Sequence, residues 1–388
     1  MSNKALIGIG ILLVLAILVM LYASGVYLPK KYLDPWDRSY IAKFEDPRVQ
    51  VIACGLLAPS SHNLQPWKAR LDENETTFTL FVDTERLLPE VDPLSRQIMV
   101  SQGTFLENVR IGAEHLGYSP DIDLFPDGEI DSEGSASSMI SKPVARVSLD
   151  LDPRENDVSP LYEAIFERVT VRTPYLDQPL TDDQVERLQS QSDEPGVSIL
   201  IFQDEEDLEE IRDLAVQGVE IESSLSGPMR ESGELFRINE RQKNRDRDGL
   251  TLDSQGMPGA LQALVEGFGT IFPLSDERMA ETWRKGEVDR IGRTPAYAMI
   301  ITEGNSRTDQ VRAGMVYERL QLAGTGLGVS MQPASQVLEE YPEMSALYEE
   351  VHESFAGDDR TIQMLVRMGV AEKEVGHSPR RDVLDLLA

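Results

Sequence analysis

The chain begins with an uninterrupted apolar run. From Ala5 to Leu28 no residue is charged (ALIGIGILLVLAILVMLYASGVYL). At 1.5 Å per residue such a run is long enough to cross a hydrocarbon core of roughly 30 Å. Tyr22 and Tyr27 stand where interfacial aromatics are expected. The pattern predicts a single-pass transmembrane helix over 5–28. A cleaved signal peptide is the alternative, with Ala23-Ser24-Gly25 as its small-residue site. Lys4 precedes the run and Lys30 and Lys31 follow it, so the charge count does not choose the side of the membrane. Residues 29–45 (PKKYLDPWDRSYIAKFE) read as a tether.

Beyond the tether, helical and alternating patterns take turns. RVQVIACGLL, ended by Ala58-Pro59, predicts a helix; TFTLFVD alternates and predicts half of a hairpin with KARL. Residues 95–117 carry apolar positions at helical spacing up to a terminal glycine, and PVARVSLDL (143–151) predicts a strand. The polar, acidic stretch 121–142 reads as an exposed loop. A second unit begins near 156: a helix capped by Ser159 with Pro160 at its first turn, then irregular RVTVRTPYLDQPL, then a capped helix in TDDQVERLQSQ. VSILIF, a long acidic helix from Asp204, AYAMIIT, an amphipathic helix ending in Gly324, Gly326 and Gly328, VSMQPAS and TIQMLVRMGV complete the pattern. Residues 227–292 form a charged, glycine-containing insertion with helical pieces, long enough to act as a cover. The expected class is α+β, divided as anchor 5–28, tether 29–45, first half 46–155 and second half 156–388.

Charge narrows the possible functions. Among 388 residues, 37 Lys and Arg face 67 Asp and Glu, a formal net charge of −30. Such a chain repels a phosphate backbone, so nucleic acid is excluded as a general partner. The lone Cys54 excludes an internal disulfide framework and cysteine-ligated zinc or iron–sulfur sites. His62, His115, His352 and His377 lack HxH or HExxH spacing, and no metal is expected.

Against this acidic background two basic groups stand out. In Arg168-Val169-Thr170-Val171-Arg172, extended alternation puts Arg168, Thr170 and Arg172 on one face, where two guanidiniums and a hydroxyl suit a phosphate. Two surface arginines balancing acidic neighbours would look the same. Arg380-Arg381 is a second basic pair. Pro59-Ser60-Ser61-His62-Asn63-Leu64-Gln65-Pro66-Trp67 is a proline-framed polar loop. Its hydroxyls and amide either satisfy local backbone or offer donors and acceptors to a planar heterocycle. Gly324-Thr325-Gly326-Leu327-Gly328 follows a helix instead of preceding one, so it reads as a C-cap and not as a dinucleotide-binding loop.

Taken in order, these segments resemble the nitroreductase family of flavoproteins. LAPSSHNLQPW is similar to its PSxxNxQPW signature, and RVTVRTPYLDQPLTDDQVERL to its arginine opening and next helix. RAGMVYERLQLAGTGLGVSMQP is similar to its long helix and glycine turn, and QMLVRMGVAE with SPRR to its last strand and basic tail. The resemblance spans about 46–388. Ordinary members carry the arginine opening before the PSxxN loop in one domain and bind flavin mononucleotide (FMN) between two subunits. Here the loop lies in the first half and the opening in the second, which resembles the fused, Acg-type branch in which one chain mimics the dimer. The resemblance therefore implies one FMN per monomeric chain. It implies Arg168, Thr170 and Arg172 at the phosphate with Arg380 or Arg381, and Pro59, Ser60, Ser61 and Asn63 along the isoalloxazine. Gln332, Pro333 and Ala334 would lie near the reactive edge. The flavin would carry the chemistry, with no side-chain acid or base. Lysines that ordinary members place around the flavin have only Lys68 and Lys373 as counterparts. The implied activity is hydride transfer from NAD(P)H to a nitroaromatic, quinone or similar small acceptor. A flavin-sequestering protein without turnover is the alternative, motivated by the cover.

Overall fold

The computed structural model describes residues 3–152, 159–357 and 359–388. The expected boundary between residues 155 and 156 lies outside them.

The first apolar run forms α1 (Asn3–Ser24), which is long and apolar enough to cross a membrane and whose apolar window is not buried against the rest of the chain. The expected tether is packed structure instead. It forms a tight turn (Lys31–Trp36) and the one-turn α2 (Arg38–Ile41), with Tyr32, Trp36, Tyr40 and Ile41 buried. The aromatics at 32, 36, 40 and 44 are spaced four apart, and burying them outweighs the solubility of the lysines and aspartates between them.

Two sheets follow. The first half contributes α3 (Pro47–Gly55), β1 (Trp67–Leu71), β2 (Thr77–Val82), α4 (Arg96–His115), β3 (Tyr118–Leu124), α5 (Ala136–Ser141) and β4 (Ala145–Leu151). Its antiparallel sheet runs β1-β2-β4-β3. Part of the stretch expected to be a loop is therefore strand. β3 is an edge strand, which tolerates Pro120, and its Asp121 and Asp123 face out while Ile122 and Leu124 pack inward.

The second half contributes α6 (Pro160–Glu167), α7 (Asp182–Gln189), β5 (Val197–Phe202) and α8 (Glu205–Ser224). Then come α9 (Ser226–Glu234), α10 (Glu240–Asp246), α11 (Gly259–Ile271), α12 (Asp276–Gly292) and β6 (Ala296–Thr302). α13 (Arg307–Gly326), β7 (Ser330–Pro333), α14 (Ser345–Phe355) and β8 (Thr361–Gly369) complete it. Its antiparallel sheet runs β5-β6-β8-β7.

Numbered within its own half, each sheet has the order first, second, fourth, third, and each sends one long helix between its second and third strands. The halves are thus two versions of one α+β unit. They differ between the first two strands: residues 72–76 turn the first hairpin, whereas 203–295 carry α8 to α12. The expected insertion at 227–292 lies inside that longer excursion, and it is mostly helical.

The long helices α4 and α13 cross at glycines. Gly103 is the eighth residue of α4 and Gly314 the eighth of α13. A Cβ on Gly103 would stand 1.9 Å from the Val311 carbonyl oxygen, and one on Gly314 2.0 Å from that of Val100. Only glycine permits this backbone approach. Arg96 on α4 then reaches into the second half, where it donates to the Leu338 carbonyl at 2.8 Å and to that of Gln363 at 2.5 Å. Arg319 on α13 pairs with buried Glu107 on α4 at 2.6 Å. The α13 glycine cluster closes the helix as expected, with Gly328 at φ +71°.

Candidate functional site

The polar loop sits at the end of α3, against α4. Pro59 presents its carbonyl to the Thr104 hydroxyl at 2.7 Å, and the Ser61 amide donates to the Ser101 hydroxyl at 3.0 Å. Trp67 is fully buried and its indole N–H donates to the Ser101 carbonyl at 2.8 Å. The loop that these bonds pin is bent: His62, Asn63 and Gln65 all lie at positive φ, 47°, 56° and 53°. Left-handed conformations of non-glycine residues cost on the order of 1 kcal/mol each or more. Here the Ser60 hydroxyl accepts from the Gln65 amide at 2.9 Å. The Asn63 carboxamide donates to the carbonyls of Gly249 (3.2 Å) and Pro379 (3.0 Å) and accepts from Arg380 (2.6 Å). Asn63 thereby ties the first half to the long excursion and to the C-terminal segment.

The basic segment leaves the end of α6 as extended backbone. Thr170 bridges to Met331 of β7, and the Arg172 amide donates to the Ser254 carbonyl at 3.0 Å. The alternation expected from the sequence holds. Arg168, Thr170 and Arg172 face a cleft, while Val171 turns into the core.

That cleft is lined by Pro59, Ser60 and Asn63 from the first half and by Arg168, Thr170 and Arg172 from the second; Gly249–Thr251, Ser254 and, from the C-terminal segment, Gly376, Ser378 and Arg380 close it. It encloses about 40 Å³, far less than the few hundred Å³ usual for a cofactor pocket, because 249–254 lies across it. Seating a ring system there requires that strap to move outward.

Three guanidiniums converge on the cleft without a carboxylate in contact. Arg168 donates to the Leu57 carbonyl (2.9 Å), the Gln321 amide oxygen (3.0 Å) and the Thr170 hydroxyl (3.3 Å). Arg380 donates to Asn63, to Ser378 and to the carbonyls of Leu57, Ala58 and Pro379, and its buried Nε has no partner. The Arg172 guanidinium has no hydrogen bond and no ion pair among the described residues. Burial opposes the charged form of all three, and the charge of Arg168 adds to that pressure at Arg380. Glu318, the buried acid nearest Arg168, is itself pushed up to about 7 by burial. A desolvated trio of cations with an unused guanidinium and an orphaned N–H is chemistry that an anion such as phosphate completes.

His62 is neutral at pH 7. Burial, with the charge of Arg172, pushes it down to about 4, and its Nε2 sits 2.9 Å from the Ser232 hydroxyl.

Not every expected residue lines the cleft. The Ser61 hydroxyl donates to Gln97 at 2.9 Å on the far side of the loop. Arg381 points the other way from Arg380 and is held by Asp83 (3.3 Å), the Gln65 carbonyl (3.1 Å) and the Asp385 carbonyl (2.7 Å). Gln332 is buried between Glu287 and Arg367, and the Ala334 amide is used by the Leu365 carbonyl. Gln332, Pro333 and Ala334 therefore belong to the sheet and its edge, outside the cleft lining. Lys68 is exposed on β1 and Lys373 beyond β8.

One contributor escaped sequence reasoning. Trp36 backs two of the cleft's arginines: the Arg380 guanidinium lies 4.6 Å and that of Arg168 5.9 Å from its ring, and His377 stacks on it at 4.2 Å. The four-residue aromatic spacing of the supposed tether was the available signal. The strap Gly249–Ser254 lies within the cover expected at 227–292, and the fold shows which part of that cover reaches the cleft.

No family model matches the chain. A Serratia protein named as a probable NAD(P)H nitroreductase, PigM, is 26% identical over 319 residues, 79% of this chain and 85% of that protein. The Mycobacterium tuberculosis protein Acg, also named as an NAD(P)H nitroreductase, is 24% identical over 338 residues, 84% of this chain and 90% of its own. The chain is nitroreductase-like. Among solved structures, a nitroreductase with bound FMN from Desulfitobacterium hafniense aligns with a TM-score of 0.34 at 11% identity, covering 57% of this chain and 94% of that one. The FMN-dependent nitroreductase NfnB of Mycobacterium smegmatis, in complex with NADPH, aligns with a TM-score of 0.34 at 14% identity, over 56% and 90%.

Proposed function

We propose that the chain is a membrane-anchored oxidoreductase that binds one FMN between its halves, taking hydride from NAD(P)H and passing it to a nitroaromatic, quinone or similar small electrophile. The observation that carries this reading is the convergence of Arg168, Arg172 and Arg380 beside the Pro59–Asn63 loop, in a cleft where Arg172 has no partner. When bound, FMN supplies the hydride acceptance and donation.

The chain's own residues bind and orient. Arg172 offers both arms of its fork to a phosphate, and Arg380 offers its free Nε–H. Thr170 lies between the arginines as a neutral donor. Pro59, Ser60 and Asn63 border the opposite wall, stiffened by the left-handed backbone at 62, 63 and 65. The strap at 249–254, held by the Arg172 amide and by Asn63, lies over the cleft. No carboxylate in contact with the trio competes for the anion.

The division follows the same reading: anchor 5–28, first half 46–155 and second half 156–388, with 29–45 packed between anchor and first half and its Trp36 behind two of the arginines. α1 sets the chain on a membrane as a single-pass protein, and the internal pseudo-dimer makes a monomer sufficient.

A second reading, flavin held under a closed cover without turnover, is favoured by the narrowness of the cleft. Anaerobic addition of NADH or NADPH to the flavin-loaded full chain separates the two. Bleaching of the visible flavin band, reversed by a quinone, supports the enzyme. A band that persists supports storage, and a chain that takes up no flavin removes both.

A further inference from the structure

The long excursion between β5 and β6 carries a stripe that the fold leaves uncovered. On α11, Leu261, Val265, Phe268 and Phe272 at its C-cap recur at helical spacing, all exposed, and Ile271 and Leu274 extend the patch. Between Pro258 and Leu274 the only charged residue is Glu266, and it turns inward. There Lys243, fully buried, bonds Glu266 and Asp253 at 2.7 Å each, and Tyr32 donates to Glu240 at 2.8 Å. The outer face is thus wholly apolar, in a chain with a net charge of −30. So large an apolar surface marks a contact site.

Its position identifies the occupant. α11 lies against α1: a Cβ on Gly267 would stand 2.0 Å from the Met20 carbonyl oxygen, so the two backbones touch. Met20 lies about 6 Å, at 1.5 Å per residue, inside the helix end at Ser24. The mount is rigid. Arg241 of α10 donates to the Ala23 carbonyl (2.9 Å), the Tyr22 carbonyl (3.0 Å) and the Tyr27 hydroxyl (2.6 Å), and Lys30 pairs with Glu240 at 3.4 Å. A bilayer crossed by α1 has its boundary near the stacked Tyr22 and Tyr27 rings. Gly267 touches α1 at Met20, two residues or about 3 Å deeper than Tyr22.

We propose that α11 is a lipid-contacting element: its apolar stripe beds in the bilayer beside α1, so that the cover of the cleft rests on the membrane. The proposal rests on the reading of α1 as a membrane anchor. It makes the anchor a mount that sets the bilayer plane relative to the cover, and not a leash. On its inner side α11 holds Asp253 through Gln262 at 3.0 Å, one residue from the strap's Ser254. Lipid contact and the cleft are thus joined through a single helix.

Site-directed spin labelling of the full chain in phosphatidylcholine vesicles tests this. Cys54 is the chain's only cysteine and is fully buried, so Phe268→Cys, Val265→Cys, Leu13→Cys and Ile140→Cys each offer one accessible thiol. The expected result is several-fold greater collision with oxygen than with a water-soluble nickel chelate at positions 13, 265 and 268, and the reverse at 140. Nickel-dominated collision at 265 and 268 with oxygen dominance at 13 overturns the proposal and leaves the anchor standing. Nickel dominance at 13 overturns both. Shielding of 265 and 268 from both reagents, with spin–spin broadening, overturns it in favour of a second copy of the chain on the stripe.

Discussion

Arg172→Ala separates a phosphate site from a structural arginine. Arg168 and Arg380 each hold several carbonyls, so removing either disrupts the fold as well as any site. Arg172 holds none; burial opposes its charge, with Glu287 favouring it and Arg290 opposing it from nearby. Its removal therefore leaves no acceptor stranded and relieves the cost of burying its charge, and the flavin-free protein is expected to keep or slightly raise its unfolding midpoint. A charge-assisted hydrogen bond contributes about 1.5–3 kcal/mol. Its loss would weaken FMN binding by roughly tenfold to a hundredfold. Riboflavin lacks the phosphate, so its affinity should change by less than about twofold. Quenching of flavin fluorescence on titration with the full chain measures both ligands. An unchanged FMN affinity would refute the assignment. Equal losses for FMN and riboflavin would refute the phosphate role while leaving Arg172 in the site.

Other perturbations follow from the same geometry. Asn63→Ala removes three hydrogen bonds joining the halves, one of them to Arg380, and should lower unfolding free energy by about 2–4 kcal/mol in a urea titration. A variant that melts like the parent would contradict the tie. Gly103→Ala forces a methyl into the Val311 carbonyl; overpacking of about 1–3 kcal/mol or more should show as a lower melting midpoint, and Gly314→Ala should match it. His62 has its folded value lowered from 6.5 to about 4, so its stabilising contribution is complete above pH 6.5 and is lost as pH falls towards 4. His62→Gln should therefore lose about 1–2 kcal/mol less than the parent between pH 7 and pH 5 in denaturant titrations. A parallel loss in both would show that His62 titrates normally.

Much of this arrangement is legible in the sequence, for physical reasons that can be traced residue by residue. The α13 glycines end a periodic helix, and alternation alone puts Arg168, Thr170 and Arg172 on one face. The left-handed bend of the Pro59–Trp67 loop suits its asparagine and small hydroxyls. What local pattern could not resolve was long-range partnership. Arg380 and Arg381 are identical as residues, yet adjacent extended positions point apart, and Asp83 claims the second. Gln332 sits in a strand whose register buries it against Arg367. Prolines and mixed charges made 29–45 resemble a linker, although its aromatics are packed and Trp36 backs Arg168 and Arg380. β3 was hidden by a proline that an edge strand tolerates. The two expected halves show no residue-level repeat but are plain in the strand order, where two sheets share one topology and their long helices cross at Gly103 and Gly314.

One cofactor site built from both halves of a single chain is the centre of this account. Titration of the full chain, stripped of flavin, with FMN, read by equilibrium dialysis against protein quantified by amino-acid analysis, tests it most directly. The account predicts saturation at one FMN per polypeptide. Saturation at two, or no uptake, would contradict it.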